Sequence, residues 1–152
     1  MPGTAAIMHA VVRNRNVMPP ADASSLPQSR RQRTVLVVDN DEAECYAMAR
    51  LIAQAGYDVI DACAFTPALA ALENPERPID LLLTDVKMMV HGFALARMAR
   101  ARRPSINVIY VTGFPELAAA ETPLSGSKLL VKPIDPDALI AAVDAYFSGA
   151  GA

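Results

Sequence analysis

The stretch TVLVVDND, residues 34–41, joins a continuous run of apolar residues to two acids and an amide. A strand that is apolar at every position is buried on both faces, as in a parallel sheet covered by helices. Asp and Asn favour helix N-caps, and apolar residues at helical spacing follow as far as Gly56, a typical helix stop. The stretch therefore predicts a buried strand that leads directly into a helix.

The same strand-then-helix unit repeats along the rest of the chain. The predicted strands are residues 34–38, 57–62, 79–84, 106–111 and 128–131, and the predicted helices are 41–55, 66–72, 92–101, 115–121 and 136–147. The fourth helix is short because Thr122-Pro123 and Gly126 interrupt the pattern. Such alternation predicts an α/β fold, a doubly wound parallel sheet of five strands with helices on both faces.

Composition and charge limit the remaining possibilities. The chain of 152 residues has room for one domain, predicted over residues 34–149. Residues 1–33 carry five arginines, one acid and four prolines, which predicts a disordered basic N-terminal extension. A basic arm for nucleic acid or acidic lipid is the less favoured interpretation, because aromatic residues do not alternate with the arginines. No apolar run approaches the ~20 residues that cross a bilayer, and two cysteines make no disulfide framework. We therefore expect a cytoplasmic protein that binds neither membranes nor nucleic acid directly.

Polar residues stand where four of the predicted strands end. They are Asp39, Asn40 and Asp41 after strand 1, Asp85 after strand 3, Thr112 after strand 4 and Lys132 after strand 5. Ligands of open parallel sheets bind outside these carboxyl ends. Clustered carboxylates need a cation to offset their repulsion, and oxygen ligands suit Mg2+. A phosphoryl group on one carboxylate also needs a hydroxyl and a cationic side chain around its oxygens, which Thr112 and Lys132 supply. Taken singly, each residue has an ordinary structural role as a cap, a turn residue or a surface cation.

Other phosphate and metal motifs fail on spacing. The acidic run after strand 1 lacks the oxygen ligands of a calcium loop at Ala43 and Cys45, and the chain has no glycine-rich loop ending in Lys-Ser or Lys-Thr. A haloacid-type hydrolase needs a second acid two residues after its nucleophile, where this chain has Lys87. These classes are therefore disfavoured.

The strand-end residues resemble those of the receiver domains of two-component response regulators, including the single-domain chemotaxis type. Four segments carry the resemblance: VVDND at 37–41, DLLLTD at 80–85, VTG at 111–113 and VKP at 131–133. The resemblance implies a flavodoxin-like sheet with strand order 2-1-3-4-5. It also implies a cis peptide bond between Lys132 and Pro133.

The resemblance further implies a role for each residue of the set. Asp85 accepts a phosphoryl group from a histidine kinase or phosphotransfer protein, and Thr112 and Lys132 bind the phosphoryl oxygens. Asp39, Asn40, Asp85 and the backbone carbonyl of Lys87 hold Mg2+. The only enzymatic activities expected are self-phosphorylation from a phosphodonor and slow self-dephosphorylation. Because the chain ends at Ala152, we expect no output domain, and a downstream protein to bind the face of helix 4, strand 5 and helix 5.

Three departures from the family pattern bear on this function. Asn40 stands where the family usually has a second acid, so Mg2+ affinity should be lower unless Asp41 compensates through a shifted loop. The loop from Met88 to Gly92 is one residue shorter than usual and has no proline. Leu129 replaces an aromatic residue that turns inward in the family, which leaves a backbone shift after strand 4 to transmit the signal. The alternative function is therefore a degenerate, phosphorylation-independent interaction module.

Overall fold

The computed structural model describes residues 33–88 and 91–147. Within this part the elements, in chain order, are β1 (Thr34–Val38), α1 (Glu42–Gln54), β2 (Asp58–Ala62), α2 (Phe65–Glu73), β3 (Leu81–Asp85), α3 (Gly92–Arg102), β4 (Asn107–Thr112), α4 (Pro115–Ala118), β5 (Lys128–Val131) and α5 (Pro136–Phe147). The predicted bounds agree within two residues, except that α4 ends at Ala118 instead of Glu121. The predicted basic extension lies outside the described residues apart from Arg33. The Arg33 guanidinium packs over the ring of Phe147, 5.2 Å from its centroid.

The five strands form one parallel sheet in the order β2-β1-β3-β4-β5, which confirms the expected topology. Strand β1 lies between β2 and β3, and Val38 pairs with Ala62 of β2 on one side and with Thr84 of β3 on the other. At the same edge Asp85 pairs with Val111. The register therefore brings the carboxyl ends of distant segments together, as expected for a doubly wound sheet.

Alternate residues of the strands supply two separate cores. In β1, Leu36 and Val38 pack on the side of the sheet covered by α2 and α3. Val35 and Val37 pack on the opposite side, against α1 and α5. All four side chains are fully buried. Burial on both faces is the physical reason for the uninterrupted apolar run in this strand.

The region from α4 to β5 leaves part of the sheet uncovered. Leu129 and Val131 are 44% and 49% exposed, whereas Leu130 between them packs against the core beside α1 and α5. The four-residue α4 is too short to cover the other face of β5. The loop between them is nevertheless anchored, because the Leu124 amide donates to the buried Tyr110 hydroxyl at 3.2 Å. Within the described ranges no helix combines the length and apolar composition needed to span a bilayer.

Candidate functional site

Asp85 is the last residue of β3, and its side chain is only 6% exposed. The pairing of β3 with β4 continues one residue further, since the Val86 amide donates to the Val111 carbonyl at 2.9 Å. The first residue of α3, Gly92, lies directly against this segment, and its amide donates to the Val86 carbonyl at 3.0 Å. A Cβ atom at Gly92 would lie 2.2 Å from the backbone oxygen of Asp85. The start of α3 therefore restrains the backbone that carries this carboxylate.

The residues after β1 have two roles, since they cap helix α1 and line the cleft. Asp39 is buried, and its Oδ1 accepts a hydrogen bond of 2.9 Å from the Asp41 amide. Asp41 caps α1, because its Oδ1 accepts from the Glu44 amide at 3.0 Å. Asn40 is exposed and lines the cleft together with Asp39 and Asp41. The ordinary capping role thus belongs to Asp41, while Asp39 points into the site.

Lys132 brings these two parts of the site together. The predicted cis peptide bond between Lys132 and Pro133 is confirmed, and the Lys132 amide donates to the Thr112 carbonyl at 2.7 Å. Its Nζ lies 3.0 Å from Asp39 Oδ2 and 3.4 Å from Asp85 Oδ1. A third carboxylate oxygen, Oε1 of Glu44, lies 2.5 Å from the same nitrogen. Residues from three distant segments therefore meet at one cation.

Thr112 lies at the end of β4 and is fully buried. Its Oγ1 accepts a hydrogen bond of 2.9 Å from the Phe114 amide. Gly113 and Phe114 line the cleft at this point, and Thr112 is not among the lining residues. The ring of Phe114 carries the Lys87 ammonium on its face, 4.3 Å from the centroid. That cation–π contact links the loop after β3 to the loop after β4.

Burial and charge act in opposite directions on these groups. Burial raises the pKa of Asp39, whereas the Asp41 amide and Lys132 lower it, and the pKa stays above its usual value. The pKa of Asp85 is also raised, by burial and by the neighbouring Asp39 charge, against the opposing effect of Lys132. Burial alone would lower the pKa of Lys132, but hydrogen bonds to Glu44 and Asp39 raise it. The lysine therefore remains a cation. The ionised forms of the two aspartates are disfavoured unless further positive charge is bound beside them.

The site opens to solvent as a cleft of about 700 Å³ at the carboxyl ends of the strands. Its lining includes the oxygen-bearing side chains of Asp39, Asn40, Asp41 and Asp85, and Lys87 also borders it. Oxygen donors of this kind fit a hard divalent cation such as Mg2+. Within residues 33–88 and 91–147, no three acidic, histidine or cysteine side chains are arranged to hold a metal ion by themselves, so a bound ion would also need amide or backbone oxygens. The donor set thus fits Mg2+, with an amide at Asn40 in place of a further charge. Met89 and Val90 of the shortened loop lie outside the described residues.

Glu44 is the residue of this cleft that sequence reasoning missed. It lies in the first turn of α1, where Glu42 is equally acidic and also exposed. The available signal was its position one helical turn after Asn40, which places both residues at the same end of α1. That spacing alone does not show which glutamate meets Lys132.

Comparisons with known proteins agree with this geometry. Residues 35–144 match the response regulator receiver domain family. The chain is 32% identical over 139 residues to the CAI-1 autoinducer sensor kinase/phosphatase CqsS of Vibrio cholerae, covering 88% of this chain but only 19% of CqsS. It is 31% identical over 88 residues to the response regulator receiver protein CpdR of Brucella abortus, covering 57% of this chain and 71% of CpdR.

The solved structures give the same result. A response regulator receiver protein from Sinorhizobium medicae superposes with a TM-score of 0.70 at 25% identity, covering 77% of this chain and 95% of that protein. The family match spans most of the chain, and the strand order is the one that the resemblance implied. The chain belongs to the family of response regulator receiver domains of two-component systems.

Proposed function

We propose that this receiver accepts a phosphoryl group on Asp85 and signals through a change in partner binding. The observation that carries the proposal is the position of Lys132, whose Nζ lies 3.0 Å from Asp39 and 3.4 Å from Asp85 in an open cleft. A cation held at this distance from a carboxylate is placed to bind the oxygens of a group transferred to it. The proposed donor is a histidine kinase or phosphotransfer protein.

The transfer uses groups of this chain at each stage. An Asp85 carboxylate oxygen attacks the phosphorus atom, the new O–P bond forms, and the bond from phosphorus to the donor's leaving atom breaks with its electron pair. Lys132 favours the ionised, nucleophilic form of Asp85 and then pairs with the phosphoryl oxygens. Thr112 supplies a hydroxyl hydrogen bond once the loop that begins at Gly113 moves. Hydrolysis of the acyl phosphate returns the receiver to its resting form.

Mg2+ is part of the proposal. Asp39, Asn40, Asp85 and the Lys87 carbonyl would hold it, with Asp41 compensating for the charge that Asn40 lacks. When bound, the ion neutralises charge that develops on the phosphoryl oxygens. Burial raises the pKa of Asp39 and of Asp85, and a bound divalent cation would favour their ionised forms. We expect weaker Mg2+ binding than three carboxylates would give.

We propose that a downstream protein binds the surface formed by α4, β5 and α5. Exposed apolar side chains of β5, Leu129 and Val131, offer contact area to a downstream protein. The coupling would run through the loop after β4, where the Phe114 amide bonds the Thr112 hydroxyl. We propose that the receiver acts in the cytoplasm.

The decisive experiment is phosphorylation in vitro. The protein is incubated with Mg2+ and acetyl phosphate, and intact-mass spectrometry measures the gain of one phosphoryl group. We expect the gain in the wild type and in Asp58→Asn, which removes an exposed aspartate at the opposite end of the sheet. We expect none in Asp85→Asn. Absence of the gain in the wild type at saturating Mg2+ would contradict the proposal and favour the phosphorylation-independent interaction module.

A further inference from the structure

Glu44 forms an ion pair with Lys132, the cation that the proposed function needs at the phosphoryl group. Its Oε1 lies 2.5 Å from Lys132 Nζ, closer than either aspartate, although 49% of its side chain is exposed. The contact joins α1 to the residue after β5 across 88 positions of sequence. Glu42, two residues earlier, is exposed and does not line the cleft.

Three carboxylates surround the lysine: Nζ donates hydrogen bonds to Asp39 and Glu44, and Asp85 lies at ion-pair distance. An ammonium group has three hydrogen-bond donors and no acceptor. In the resting structure Asp39, Asp85 and Glu44 each lie within 4 Å of Nζ. A phosphoryl oxygen on Asp85 therefore competes for Lys132 with the two carboxylates that are hydrogen-bonded to it.

Exposure decides which carboxylate is displaced. The side chain of Asp39 is 1% exposed, so loss of the lysine would leave a buried charge without its partner, whereas Asp85 is itself the residue that carries the phosphoryl group. Glu44 is half exposed, and water replaces the lysine around its carboxylate at low cost. Its position at the start of a helix also favours a negative charge there after release.

We propose that Glu44 is a resting-state competitor for Lys132, which the incoming phosphoryl group displaces into solvent. The inference rests on the proposed phosphorylation of Asp85. Glu44 is thus a positioning residue, since it acts on the phosphoryl group only through Lys132. Its presence lowers the affinity of the site for a phosphoryl group and so sets the threshold at which the receiver switches.

The test compares Glu44→Gln with the wild type and with Glu42→Gln. Both variants remove one negative charge from the first turn of α1, so they are matched in net charge and in their effect on the helix dipole. Binding of beryllofluoride, a phosphoryl mimic, is measured by 19F NMR titration at a Mg2+ concentration shown to saturate each protein. We expect Glu44→Gln to bind about two- to fivefold more tightly, the range set by a half-exposed ion pair. Glu42→Gln should match the wild type.

The dependence on salt separates competition from a structural effect. Screening weakens the Glu44–Lys132 pair, so raising the ionic strength should narrow the difference between Glu44→Gln and the wild type. Equal affinities for these two proteins, or weaker binding by Glu44→Gln, overturn the inference while leaving Asp85 as phosphoacceptor. Failure of all three proteins to bind beryllofluoride overturns the proposed function and the inference with it.

Discussion

Replacing Gly92 by Ala should displace the backbone that carries Asp85, without changing any side chain of the candidate site. Gly92 is the first residue of α3, and an added Cβ would lie 2.2 Å from the Asp85 carbonyl oxygen and 3.0 Å from the Val86 Cα. Both atoms belong to the backbone, so no side chain can rotate away. Either α3 or the segment from Asp85 to Val86 has to move.

The magnitude follows from two opposed effects. Alanine favours a helix over glycine by about 1 kcal/mol in a helix interior, and by less at the first position. Forcing a methyl group into a well-packed site costs roughly 1–3 kcal/mol, and here the contact is nearly 1 Å inside the closest distance that ordinary Cβ atoms show. We expect a net destabilisation of about 1–2 kcal/mol and a Tm lower by roughly 4–10 °C.

Thermal unfolding followed by circular dichroism measures the loss, and beryllofluoride titration with Mg2+ measures the site. Gly113→Ala is the matched control, because Gly113 also borders the cleft but its Cβ would meet Lys132 side-chain atoms only at 4.0 Å, an ordinary contact. We expect Gly113→Ala to retain stability and binding, and Gly92→Ala to bind beryllofluoride at least several-fold more weakly. A Gly92→Ala protein with unchanged Tm and unchanged affinity would refute the view that α3 restrains the Asp85 backbone.

Two further predictions concern stability. Because the folded pKa of Asp85 is raised, the folded state binds protons more tightly than the unfolded chain, so stability in metal-free buffer falls as pH rises above the unfolded value of 3.8. Asp85→Asn should therefore be more stable than the wild type in urea at pH 7 without metal, with the difference shrinking toward pH 4; a destabilised Asp85→Asn would contradict the raised pKa. Tyr110→Phe should lose about 0.5–1.5 kcal/mol in the same assay, since the Leu124 amide loses its acceptor, whereas Tyr46→Phe should lose less because its bond with Arg50 is exposed. Equal losses in the two variants would mean that the Tyr110 hydroxyl does not anchor the loop before β5.

Much of the fold followed from local sequence pattern. Apolar runs without alternation indicated strands buried on both faces, and Gly56, at φ 109°, stands where the end of α1 was predicted. The rule that ligands bind at the carboxyl ends of parallel strands then placed Asp39 and Lys132 at the same edge of the sheet, and the structure shows a hydrogen bond between them across 93 positions of sequence. The family resemblance, carried by a few residues at these ends, supplied the sheet order and the cis bond before Pro133.

Other properties of the site depend on how separate elements pack. Glu42 and Glu44 look alike in sequence, and only the placement of α1 against the end of β5 directs one of them to Lys132. The hydrogen bond from the Phe114 amide to the Thr112 hydroxyl likewise depends on how the loop after β4 folds back on the strand. The sequence likewise gives no sign of the close approach between Gly92 and the Asp85 backbone. Sequence by itself determined which residues reach this edge of the sheet, because hydrophobic period and chain order decide strand positions. Tertiary structure alone decided which atoms meet there, because the direction of each side chain depends on neighbours contributed by distant segments.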